Sequence, residues 1–133
     1  MTTIVLGYDG TEPAKRALDV AASLAGAGTI TVVSVVHPLP GGRSGPAYDP
    51  VEREDHERHL VEARDRLAEL GVTCSLVEGF GDPARVVVDV AGKAGARFIV
   101  LGRGDRSFLE RLLHHSVSAG VTRRARTAVL VVP

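Results

Sequence analysis

A chain of 133 residues, 44% apolar and 24% charged, has the size and balance of one folded domain, and with 4% aromatic residues and no Trp its core falls to Val, Leu, Ile and Ala. The 16 basic and 16 acidic residues cancel, so no net field draws in nucleic acid or an anionic membrane. The lone Cys74 excludes an intrachain disulfide. No apolar run approaches the ~20 residues of a membrane span, and MTTIVLGYDG has neither the basic start nor the cleavage site of a signal peptide, so a cytoplasmic location is expected.

Residues 3–8 (TIVLGY) predict a short buried strand. Thr11 as N-cap and Pro13 in the first turn open a helix. Ala14, Ala17, Leu18, Ala21, Leu24 and Ala25 recur there at helical spacing until Gly26 and Gly28 stop it. Residues 29–37 (TITVVSVVH) are a β-branched run and a second strand. The Pro-, Gly- and Ser-rich loop 38–50 is long for a compact α/β domain, a length common in functional loops.

A charged helix is predicted over 51–70. Its first half, VEREDHERH, is polar all round and expected to project into solvent, while Leu60, Ala63, Leu67 and Leu70 give a stripe to the second half. Glu54 with Arg58, and Glu62 with Arg66, stand four apart in the favourable orientation. After Gly71, residues 72–78 (VTCSLVE) predict a third strand. Asp82 and Pro83 look like the cap and first residue of a helix whose Val87, Val90, Ala91 and Ala94 share a face. Three valines at 86–88 argue for a strand, but the start signal and Gly95 decide for helix.

Residues 97–101 (RFIVL) predict a fourth strand, and a loop starts at Gly102. Leu109, Leu112, Leu113, Val117 and Val121 form a helical stripe that Arg123, Arg124 and Arg126 close, cations against the helix dipole. Residues 127–132 (TAVLVV) are the last strand. Five strands alternating with four helices, the strands reading as continuous apolar runs, predict an open parallel α/β sheet with helices on both faces. Nothing marks a boundary, so residues 1–133 are expected to form one domain.

In such a sheet ligands bind beyond the carboxyl ends of the strands, where the strand order reverses. With that point between strands one and four, Tyr8-Asp9-Gly10-Thr11 faces the loop from Gly102. Asp9 either accepts hydrogen bonds from a ribose, holds a metal ion, or shapes the turn into the helix. Gly102 and Gly104 suit close approach of backbone N–H groups to phosphates, and Ser116 and Ser118 suit a helix start facing an anion. His56, His59, His114 and His115 read as surface residues, since HERH lacks the HExxH zinc spacing. Neither a GxSxG elbow nor a GxxxxGK[ST] loop occurs, and no acid–base pair stands out, so no catalytic or metal residue is expected.

Taken together, VLGYDGTEPAKRALDVAASLA, GDPARVVVDVA, FIVLGRG and ERLLHHSVSAGVTRRARTAVLVVP resemble the universal stress protein family over nearly the whole chain. The resemblance implies a Rossmann-like, five-stranded sheet in the order 3-2-1-4-5 and a homodimer paired through the last strand, Thr127 to Val132. It implies a non-catalytic regulatory module holding ATP, ADP or AMP, with Mg a possible companion of the phosphates. Asp9 would contact the nucleoside and Val35 would lie at the adenine; Gly102, Gly104, Ser116, Val117 and Ser118 would meet the phosphates. The family's Gly-x-x-Gly, nine residues, Gly-Ser pattern is broken here. Asp105 and His115 replace two glycines, and Gly104 lies one residue early. A carboxylate beside phosphates is repulsive, so the alternative is a stress-response interaction module with a degenerate phosphate loop. A phosphate-receiving signalling domain ranks behind both, because the third strand ends in Glu78-Gly79 and the chain in Val132-Pro133, without the Asp and Lys it needs.

Overall fold

The computed structural model describes residues 2–36, 48–104, 109–114 and 127–133. Its elements in chain order are β1 (Thr3–Gly7), α1 (Glu12–Ala25), β2 (Thr29–Val36), α2 (Pro50–Glu69), β3 (Thr73–Phe80), α3 (Pro83–Ala94), β4 (Phe98–Gly102) and β5 (Ala128–Val132), with a helical segment at 109–114. The five strands form one sheet in the order β3-β2-β1-β4-β5, every neighbouring pair parallel. This is the order the resemblance implies. The direction of winding reverses at β1, whose Gly7 is in register with Val33 of β2 and Leu101 of β4.

Alternation along the strands divides the core in two. Ile4, Leu6, Ile30, Val32 and Val100 pack against Ala17, Leu18 and Ala21 of α1 and Leu60, Ala63 and Leu67 of α2. Val5, Val33, Val35, Ile99 and Leu101 turn the other way, onto Ala84, Val87, Val88 and Ala91 of α3 and Leu112. The three valines at 86–88 therefore lie in a helix. Asp82 caps it with a hydrogen bond from the Ala84 amide (3.2 Å), and Gly95 ends it in the left-handed conformation (φ 62°).

Four residues placed on apolar stripes prove exposed. From Ala21 the core takes Ala25 rather than Leu24 (40% exposed), and from Leu109 it takes Leu112 rather than Leu113 (55%). Helical spacing offers both i+3 and i+4, and the sheet below accepts one. Leu70 and Ala94 sit at helix ends, past the apolar face. The expected ion pairs also differ. Arg58 pairs with Asp55, and Arg66 reaches across to Asp19 of α1 and along to Glu69, both at 3.4 Å. A long guanidinium arm takes whichever exposed carboxylate lies nearest, at little gain in stability.

Candidate cleft at the carboxyl end of the sheet

The reversal at β1 opens a gap beyond the strand ends, and the chain after β1 lines it. The Tyr8 amide still donates to Val33 O (2.9 Å), continuing the β1–β2 ladder one residue past the strand. Asp9 then turns outward. Its Oδ1 accepts from the Thr11 amide (3.1 Å) and from the Thr11 hydroxyl (2.6 Å), and the same Thr11 oxygen accepts from the Ala14 amide (3.4 Å). Asp9 therefore shapes the turn into α1 with one carboxylate oxygen. Oδ2 makes no hydrogen bond among the described residues.

Glycine is needed on both sides of the gap. Gly10 has φ +78°, and a β-carbon there would lie 2.3 Å from the His59 ring. A β-carbon on Gly102 would lie 2.6 Å from Ala14 N and from the Pro13 carbonyl carbon, which are main-chain atoms that cannot swing aside. The end of β4 is thus pressed against the first turn of α1, and the Arg103 amide donates to Val132 O (2.7 Å).

Between these segments lies a cleft of about 470 Å³, within the roughly 300–1,000 Å³ usual for small-molecule sites. Val33, Val35, Val87 and Leu101 give it apolar walls. Asp9 stands at one rim, and Arg103 and Arg111 also line it. Arg111 is tied to Asp82 at the start of α3 (3.5 Å). Of the residues singled out in the sequence, Asp9, Val35, Gly102 and Gly104 surround this one cleft. Ser116, Val117, Ser118, Asp105, His115 and the arginines at 123, 124 and 126 lie outside the described residues. So does the 38–50 loop up to residue 47. Of its last three residues, Asp49 caps α2 through the Val51 amide (2.9 Å) and Tyr48 packs edge-on against Phe80.

The structure corrects the reading of two histidines. His56 and His59 are only partly exposed, their side chains at 16% and 28%, and His56 lines the cleft. The His56 Nδ1 is hydrogen-bonded to the hydroxyl of Ser34, a β2 residue 1% exposed, and its Nε2 lies 3.6 Å from Glu52. His59 packs edge-on against Tyr8, its Nδ1 buried without a hydrogen-bond partner among the described residues and 3.6 Å from the Glu62 carboxylate. Positions 56, 60, 63 and 67 follow a helical repeat, so the face that buries Leu60, Ala63 and Leu67 continues to His56. That extension was visible in the sequence but concealed by the polarity of the residues. The Ser–His–Glu string has the composition of a hydrolase triad but not its exposure, because Ser34 is shut inside the sheet.

Comparison with known proteins places this architecture among relatives. The family model described as the universal stress protein family matches residues 1–133. A universal stress protein of Mycobacterium tuberculosis (strain H37Rv) is 30% identical over 140 residues, covering 98% of this chain and 94% of the relative. The crystal structure of a universal stress protein family member from Burkholderia pseudomallei superposes with a TM-score of 0.73 at 30% identity, covering 99% of this chain and 96% of that one. A universal stress protein crystallised in complex with cAMP superposes with a TM-score of 0.69 at 27% identity, covering 99% and 97%.

Proposed function

The chain belongs to the universal stress protein family, and from that premise we propose that it is a non-catalytic regulatory module that binds an adenine nucleotide in the cleft between the β1 and β4 loops. The observation that carries the reading is the convergence of Asp9, Val35, Gly102 and Gly104 on one cleft with apolar walls and a charged rim. The relative crystallised with cAMP supports the same ligand class. In this reading adenine lies on Val35, the ribose hydroxyls donate to the unused oxygen of Asp9, and the phosphates extend toward the amides of Gly102 to Gly104. Ser116, Val117 and Ser118 would complete the phosphate end. Mg2+ would enter as the companion of ATP phosphates. The exposed edge strand β5 supports a homodimer paired through Thr127 to Val132.

Isothermal titration with cAMP, AMP, ADP and ATP tests the reading. Binding is expected to fall about tenfold or more in Asp9→Ala, the scale of losing hydrogen bonds to a charged acceptor. Absence of heat and of a thermal shift at millimolar nucleotide would reject it and leave the interaction module. Unchanged affinity in Asp9→Ala would move the ligand away from this cleft.

A further inference from the structure

We propose that His56 is a specificity-determining residue of the cleft, presenting a hydrogen-bond donor to a ring nitrogen of the nucleotide base. The inference rests on the nucleotide reading above but uses a residue outside the glycine and serine pattern that suggested it.

Three observations carry it. First, His56 belongs to α2, yet its ring reaches the cleft beside β2, the strand whose Val35 supplies the proposed base surface. Asp9 and the β4 loop lie further along the sheet order, over β1 and β4. The imidazole therefore enters the cleft from the α2 side of the sheet, over β2 and two strands away from β4, which leads into the proposed phosphate loop.

Second, one ring nitrogen is already committed. Ser34 is 1% exposed, and its side chain has one hydrogen-bond partner among the described residues, the His56 Nδ1. This anchor fixes the ring plane and leaves Nε2, which stands 3.6 Å from Glu52 and so makes no hydrogen bond to it, as the polar atom His56 can offer a ligand. A buried hydroxyl that donates to Nδ1 puts the neutral ring's proton on Nε2.

Third, Glu52 lies 3.6 Å from Nε2. A carboxylate facing an Nε2 lone pair would be repulsive, so it favours the same tautomer. If the ring gains a second proton, Nδ1–H donates to the Ser34 oxygen and Nε2 keeps its proton. Nε2–H is thus a donor in either protonation state. Its partner must be an acceptor, which a purine ring nitrogen is and an exocyclic amine is not.

The experiment compares adenosine, AMP and ribose 5-phosphate as probes on the full chain. His56→Asn keeps a polar partner near Ser34 but withdraws the Nε2 position, whereas His56→Gln returns a donor near it. His56→Asn is expected to weaken adenosine and AMP by the same factor, about fivefold for one net hydrogen bond, and His56→Gln to recover most of the loss. Ring-nitrogen NMR of the unmutated protein keeps the test independent of variant folding. Adenosine is expected to shift the His56 Nε2 signal, and ribose 5-phosphate to leave it in place. A loss confined to AMP, or an Nε2 signal moved by ribose 5-phosphate, would overturn the base contact. Unchanged affinity in His56→Asn, or an Nε2 signal still under adenosine, would overturn it while leaving the nucleotide reading intact. No binding of adenosine or AMP by the unmutated protein would overturn both.

Discussion

Tyr8 stands at the root of the cleft with its ring edge-on to His59, their centroids 6.5 Å apart. Burial is the largest influence on its phenol, followed by the carboxylates of Glu62, Asp9, Glu12 and Asp19, and all of them raise its pKa above the ordinary 10.0. Above pH ~10 the unfolded chain loses this proton while the folded chain keeps it, and the state that binds more protons loses ground as pH rises. The stability linked to Tyr8 is therefore fully present below pH ~10 and disappears as pH climbs through the raised value. Tyr8→Phe is expected to flatten the fall in unfolding free energy above pH ~10, read from urea titrations. Parallel curves for both proteins would mean that the phenol is not held away from water. His56 teaches a related lesson at this scale, since a polar side chain on a buried face is missed when polarity is taken to mean surface.

The described helices α1, α2 and α3 begin alike, with a capping side chain and a proline in the first turn: Thr11 with Pro13, Asp49 with Pro50, and Asp82 with Pro83. The cap satisfies an amide that would otherwise lack a partner, and proline removes one that would be orphaned anyway. Two of these starts are plain in the sequence. The third, Asp49-Pro50, carries the same signal as Asp82-Pro83 but stands at the end of a Pro- and Gly-rich stretch that masks it. Asp82 also holds Arg111 at the wall of the cleft (3.5 Å), which separates its two roles by mutation. Asp82→Ala is expected to cost about 1 kcal/mol of stability. Asp82→Asn keeps the cap, gives up a partly exposed ion pair, and is expected to cost a few tenths of that. Equal losses in chemical denaturation would show that the charge, and not the cap, carries the effect.

At the scale of the molecule, β5 is an edge with apolar side chains, Leu130 37% and Val131 36% exposed. The Ala128 amide donates to Arg97 O, and Val132 O accepts from Arg103 N. Residues 128, 130 and 132 therefore turn their main chain toward β4, and Val129 and Val131 turn theirs to the open side. A second copy pairing there about a two-fold axis would satisfy them. Val131→Pro removes an outward amide without touching the ladder to β4. The unmutated chain is expected to sediment at twice 14.0 kDa and the variant at 14.0 kDa. A monomeric parent or a dimeric variant would rule out this edge as the interface. Periodicity, caps and apolar runs settled the described elements and the fold class from sequence alone, because they are local consequences of how backbone and side chains meet water. The strand order followed from resemblance. Which residues meet across the cleft was settled only by tertiary structure. Asp9, Val35, His56 and Gly102 are far apart along the chain, and it is the reversal of winding at β1, together with the seating of α2 on β2, that brings them to one place.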